Sequence, residues 1–183
     1  MRFVPTAVPG AYIVELEPHQ DERGFFARAF STKEFSDNGI DFVVRNANTT
    51  YSAARGTLRG LHYQLPPAAE DKLIRCTKGA VYSVLVDMRS DSPTRLQHVG
   101  VELTAENRRA LFIPGMCAAG ALTLVDDTET FYLVSADHAP GRERGVRYDD
   151  PAVGIAWPIP VTTISAKDRA WSDLVPSELE EMP

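Results

Sequence analysis

The chain has 183 residues, 44% of them hydrophobic and 24% charged, with a net charge of −6. That is enough chain for one well-cored domain, taken here as residues 1–183, with an ordinary soluble composition. The acidic balance argues against a general nucleic-acid surface, which needs a basic patch, yet leaves room for a local cationic pocket. No apolar run approaches the ~20 residues that cross a bilayer, so no membrane partner is expected. Two cysteines without zinc-type pairing, and an N-terminus without a signal peptide's apolar core, fit a reduced cytoplasmic protein.

Residues 11–17, Ala-Tyr-Ile-Val-Glu-Leu-Glu, read as a first strand. A polar turn over 18–24 ends in Gly24, and a second strand is expected over 25–30. Ser31-Thr-Lys-Glu34 has the form of a capping box, which predicts a short helix over 32–38. Residues 41–48 and 56–65 are further strands, the second closed by Pro66 and Pro67, which cannot continue a central ladder. Residues 73–76 and 80–87 flank a tight turn at Lys78-Gly79, and the apolar continuity of the later stretch predicts a central strand. After a loop at 90–94, strands are expected at 98–103, 109–113, 121–124 and 129–134. The tail from Asp149 is proline-rich and ends in a short helix after Ser165. Short strands separated by regular turn signals predict an all-β sandwich or barrel.

The chemistry concentrates in Arg59-Gly60-Leu61-His62-Tyr63-Gln64. Of the four histidines (His19, His62, His98 and His138), only His62 lies in an apolar, strand-like run beside an arginine. A lone histidine in a strand is more often a hydrogen-bonded structural residue than a catalyst. Strict alternation also puts His62 on a face with Leu58, Gly60 and Gln64, and Arg59 on the other. For Arg59 and His62 to meet one ligand the strand must bulge, and Gly60 is where it can. The metal pattern of small barrels, two histidines one residue apart with a carboxylate and a later histidine, is missing, so no metal and no cofactor is expected.

Four other features have an ordinary and a chemical reading. Lys72 at a strand start is ordinarily a solvated charge; pointed inward, it would stabilise an enolate oxygen. Tyr132 is ordinarily a packing residue, but its phenol is able to return a proton to a carbanion. Asp168 closes Ser165-Ala-Lys-Asp168, a helix-capping pattern; as a catalytic partner it would hold the His62 imidazole. Arg23, Arg59, Asn46 and Asn48 together suit a diphosphate.

These stretches resemble the dTDP-4-dehydrorhamnose 3,5-epimerase family. The resemblance rests on Asp21-Glu-Arg-Gly-Phe-Phe26, Gly56-Thr-Leu-Arg-Gly-Leu-His-Tyr-Gln-Leu-Pro-Pro67, Lys72-Leu-Ile-Arg-Cys76, Val86-Asp-Met-Arg89 and Ile164-Ser-Ala-Lys-Asp168. It continues through Phe131-Tyr132, Arg144-Gly-Val-Arg147 and Gly154-Ile-Ala-Trp-Pro158, in family order over nearly the whole chain. It implies a cupin jelly roll, or double-stranded β-helix, with short peripheral helices. It also implies a homodimer that exchanges N-terminal strands, and cofactor-free epimerisation of a nucleotide-linked 4-keto-6-deoxyhexose at one or two carbons.

Carried over, His62 is the base, Asp168 its carboxylate partner, Tyr132 the opposing acid and Lys72 the enolate stabiliser. Arg59 and Arg23 contact the diphosphate, Arg23 from the neighbouring subunit. Asn46 and Asn48 are looser phosphate matches, and Phe26 and Gln64 join the binding set. One segment departs. Where the family reads Glu-Gly-Phe-Ala-His-Gly-Phe after Ile-Pro, this chain reads Gly115-Met-Cys-Ala-Ala-Gly-Ala121. Ala119 replaces a histidine that in the family lies near the aspartate matching Asp87, and Cys117 and Ala121 replace rings, enlarging that corner. Single-carbon epimerisation, a bulkier substrate, or a cupin turned to another reaction or to ligand binding alone all fit the change.

Overall fold

The computed structural model describes residues 1–175. In chain order, β1 (Arg2–Pro5), β2 (Tyr12–Glu15), β3 (His19–Asp21) and β4 (Gly24–Phe26) precede helix α1 (Thr32–Asp37). Then come β5 (Asn46–Ser52), β6 (Thr57–Gln64), β7 (Lys72–Lys78), β8 (Ala80–Asp87) and β9 (His98–Thr104). The chain goes on through β10 (Ala110–Ile113), β11 (Cys117–Thr123), β12 (Thr128–Val134), β13 (Glu143–Gly145), β14 (Thr163–Ile164) and helix α2 (Ala166–Arg169).

One sheet has the order β1-β2-β10-β7-β12-β5, the other β13-β6-β11-β8-β9 with β14 added parallel to β6. Their inner faces meet in a core to which one sheet contributes Ile74 and Leu111 and the other Leu85, Val101 and Cys117. This is the cupin jelly roll: strands adjacent in a sheet come from distant parts of the sequence, and alternate residues of each strand face the partner sheet.

Both outer faces are covered. Helix α1 lays Phe35 on the first sheet, against Phe42 and Phe112. The C-terminal segment lays Val146, Trp157 and their neighbours on the second, against Tyr63, Val84 and Val86. A strand covered on both faces needs apolar residues on both, which is why β8 reads as a continuous apolar run. As expected, β8 is central, between β11 and β9.

The helix at Ser31 forms as its capping residues predict, with the Ser31 hydroxyl accepting from the Glu34 N–H. The Glu34 carboxylate does not complete the reciprocal bond; it pairs with the Met1 ammonium at 2.5 Å. The strand expected over 41–48 lies instead at Asn46–Ser52. The apolar residues before it pack on helix α1, as Phe42 does, rather than entering a ladder. Strand β11 starts at Cys117 and not at 121. Alanine and glycine carry little β-propensity, and the register with β8 imposes the extension. The expected strand over 25–30 is only Gly24–Phe26, and part of the turn before it is strand β3. The very short β1, β13 and β14 have no counterpart in the sequence reading.

Candidate active site

Strand β6 carries the centre of the site, and its irregularity makes the site possible. In the ladder with β11, His62 pairs with Ala119 and Arg59 with Ala121, so three steps on β6 match two on β11. The extra residue is the bulge expected near Gly60. Gly60 has φ +123°, and a Cβ there would lie 2.5 Å from the Gly120 Cα. Only glycine, which has no Cβ, tolerates that backbone with that close approach. The bulge turns Arg59 to the face of His62, and both line one inner pocket of about 130 Å³ with Lys72, Ile74, Ala119, Ala121, Thr130 and Tyr132. An outer groove of about 570 Å³ continues from it, sharing Thr50, Arg59, His62 and Tyr132 and adding Thr57, Lys167 and Asp168.

Asp168 satisfies both of its sequence readings. Its backbone N–H donates to the Ser165 hydroxyl at 3.0 Å, capping α2. Its carboxylate lies 2.6 Å from His62 Nε2 and accepts from the Gly60 N–H at 3.3 Å. Asp168 is 5% exposed, so the imidazole is held from a protected position. With the Nε2 proton toward Asp168, His62 Nδ1 carries the lone pair.

Lys72 is not a solvated surface charge. It is buried, with Nζ 3.1 Å from Glu70 and donating to the His62 carbonyl at 3.2 Å. Tyr132 stands on β12, in the sheet opposite β6. Burial pushes its phenol above the ordinary value; Glu70 pushes the same way and Arg59 opposes. A phenol so placed stays protonated near neutral pH. Arg59 is fixed by the Ser52 hydroxyl at 3.1 Å and the Tyr51 carbonyl at 2.9 Å.

The other expected binding residues fall elsewhere. Gln64 is 3% exposed, and its amide bonds Ala68, Asp137 and Ala139. It ties two loops together and lines neither cavity, which corrects the expectation of substrate contact. Asn46 bonds Asp137 at 2.9 Å, and Asn48 pairs with Tyr132 across β5 and β12. Thr50, further along the same face, is the β5 residue that lines both cavities. Arg23 bonds Asp21 on the exposed β3–β4 hairpin, and Phe26 there is 69% exposed. Within one chain, neither lines the pocket or the groove.

The departing segment is partly at the site. Ala119 and Ala121 line the pocket, whereas Cys117 is buried in the core opposite Asp87. The Asp87 carboxylate is taken by Arg89, Ser92 and Thr94 at 2.6–2.8 Å. Burial alone would raise its pKa, but these donors outweigh burial and hold it down at about 2. The folded value lies below the unfolded one, so the stabilisation is full above about pH 4 and lost as pH falls toward 2. Acid unfolding followed by circular dichroism should show this loss in the native chain, with a shallower slope between those pH values in Asp87→Asn.

Among the described residues, no three His, Cys, Asp or Glu side chains cluster as metal ligands, and no helix is long and apolar enough to cross a membrane. Lys167 and Glu143, which the sequence did not mark as site residues, stand beside the dyad: Lys167 Nζ is 2.5 Å from Glu143, and Glu143 Oε1 is 4.0 Å from His62 Nδ1.

The family model described as dTDP-4-dehydrorhamnose 3,5-epimerase matches residues 5–175. The chain belongs to that family. It is 40% identical over 171 residues to the dTDP-4-dehydrorhamnose 3,5-epimerase of Shigella flexneri, covering 92% of this chain and 93% of the relative. The epimerase of Bacillus anthracis, solved with TDP and PPi bound, superposes with a TM-score of 0.91 at 37% identity, covering 94% of this chain and 99% of that one. ChmJ, a 3′-monoepimerase from Streptomyces bikiniensis solved with dTDP-quinovose, superposes with a TM-score of 0.85 at 35% identity, covering 92% and 86%.

Proposed function

We propose that this family member epimerises a dTDP-linked 4-keto-6-deoxyhexose by removing and returning a proton next to the ketone. The observation that carries the reading is the facing of His62 and Tyr132 from opposite sheets across one pocket. A ring between them meets a base on one face and an acid on the other, which inversion requires. His62 Nδ1 takes the carbon-bound proton while Asp168 holds the ring and faces the imidazolium that forms. The C–H electron pair moves into the enolate, whose oxygen meets the Lys72 ammonium. Tyr132 gives its phenolic proton to the carbon from the opposite side and is reprotonated by solvent, to which the imidazolium in turn releases its proton.

The 130 Å³ pocket suits a single sugar ring, and the 570 Å³ groove suits the nucleotide, with Arg59 and Lys167 toward the diphosphate. The exposed hairpin with Arg23 and Phe26 supports a homodimer in which it reaches the groove of a second copy. The chain works as one domain, in the cytoplasm, without a cofactor.

The test is incubation of the enzyme with dTDP-4-keto-6-deoxyglucose in D₂O, followed by ¹H NMR. Loss of the C3 or C5 proton signal is expected. Exchange at both carbons makes it a 3,5-epimerase, and exchange at one a monoepimerase. Nucleotide binding without any exchange would overturn the reading in favour of a non-catalytic ligand-binding cupin.

A further inference from the structure

The His62 imidazole has a neighbour on each of its nitrogens, and the mechanism above uses only one. Asp168 meets Nε2 at 2.6 Å. On the other edge, Glu143 Oε1 is 4.0 Å from Nδ1. Glu143 stands there because β13 pairs with β6, with Glu143 opposite Gln64 and Gly145 opposite His62. Gly145 lets β13 lie close under the C-terminal segment, since a Cβ there would lie 2.1 Å from the Trp171 ring. The other Glu143 oxygen, Oε2, is 2.5 Å from Lys167 Nζ. Lys167 and Asp168 are consecutive in α2, so one turn of helix fixes the carboxylate on one side of the imidazole and orders the carboxylate on the other.

We propose that Glu143 is a positioning residue for the base: its carboxylate faces His62 Nδ1, so the imidazolium formed on proton removal lies between two carboxylates. The proposal rests on His62 being the base. The base must start as the neutral ring, and Glu143 at 4.0 Å is too far to bond it or to block Nδ1. Once Nδ1 takes the proton, a full positive charge appears between Asp168 and Glu143, and Glu143 favours that state over the neutral one. Lys167 keeps Glu143 charged and turns one of its oxygens away from the pocket. Burial works against the Glu143 charge, but Lys167, His62 and His138 together hold its pKa below the usual carboxylate value. The remaining charged and titratable groups around His62 are Arg59 on its own strand, Lys72 on β7 and Tyr132 on β12. Substitution at 143 leaves these in place.

An ion pair serving only to tie β13 to α2 would affect stability and nothing else. The two roles separate in the titration of His62, read by NMR in the full-length protein without substrate. The signal is assigned by its absence in His62→Ala. In Glu143→Gln the His62 titration should move down by about one pH unit, which corresponds to about tenfold in the protonation equilibrium. The acidic limb of the kcat/KM profile should move with it, and kcat should fall about tenfold with little change in KM. Glu143→Asp, which keeps the charge, should recover most of both. An unmoved His62 titration in a folded Glu143→Gln protein would overturn the proposal. If His62→Ala keeps full exchange, the base assignment fails instead, and the titration still reports on Glu143 by itself.

Discussion

His62→Ala is expected to abolish solvent deuterium incorporation into the substrate. General bases typically contribute ~10²–10⁴-fold, and this pocket has no substitute. Its other titratable lining residues are Arg59, Lys72 and Tyr132. Arginine does not lose its proton in a protein, and Lys72 is held as an ion pair with Glu70. The Tyr132 phenol is pushed further from deprotonation by burial. Asp168 is at hydrogen-bond distance, but it reaches the pocket only through the imidazole it holds. The alanine variant leaves that buried carboxylate with the Gly60 N–H as a remaining donor, which costs stability. His62→Asn restores a donor for Asp168 without a base, so it should fold better and be equally inactive. Normal exchange in either variant, measured by ¹H NMR in D₂O, would remove His62 from the mechanism.

The same residues show where the sequence was enough and where it was not. An all-β sandwich or barrel followed from short strands and turn spacing, and the jelly roll from the family resemblance. The bulge was inferred from a conflict: Arg59 and His62 suited one ligand but alternation kept them apart, and Gly60 was the residue able to reconcile them. Asp168 shows that two readings of one motif need not compete, since its backbone caps a helix while its carboxylate holds the histidine.

Lys72 looked like a surface charge because nothing local marks a strand start as buried. Its burial comes from β10 and β12 on either side of it. Gln64 looked like a ligand because it shares a motif with His62, yet three loop groups use its amide. Thr50 could have been found by carrying the Asn46–Asn48 alternation one step further. Glu143 and Lys167 could not, because a glutamate in a loop-like stretch and a helix lysine 24 residues later have no sequence relation until β13 pairs with β6.

Ala119 bears on the same point. It sits opposite His62, and with Ala121 it leaves the pocket wall beside the base without a polar side chain. Proton removal and the opposing acid do not depend on that wall, since Lys72 and Tyr132 reach the pocket from β7 and β12 and Asp168 holds the imidazole from α2. The replacement is therefore expected to act on which carbon is offered to His62, not on whether a proton is removed. Ala119→His tests this: a change in the ratio of C3 to C5 exchange is expected, while loss of all exchange would place the segment in the proton-transfer machinery.

Tyr132→Phe should separate the two halves of the reaction. The substitution removes one oxygen and keeps the ring packed between the sheets, so the pocket keeps its shape. His62, Asp168 and Lys72 remain, and proton removal with return from the same side continues; the substrate should go on exchanging its proton with D₂O. Inversion needs a donor on the far face, and the phenol is the proton donor that β12 presents there. Its loss should lower the inversion rate by about 10²–10³-fold while exchange falls much less. The raised phenol pKa adds a second expectation: native inversion should persist to pH values above the ordinary tyrosine range and then fall, because the protonated form is the active one. Product analysis by NMR, counting deuterium in both the starting and the inverted sugar, reads both rates in one experiment. An equal fall in exchange and inversion would mean that Tyr132 supports binding or enolate formation and that the returning proton comes from another group.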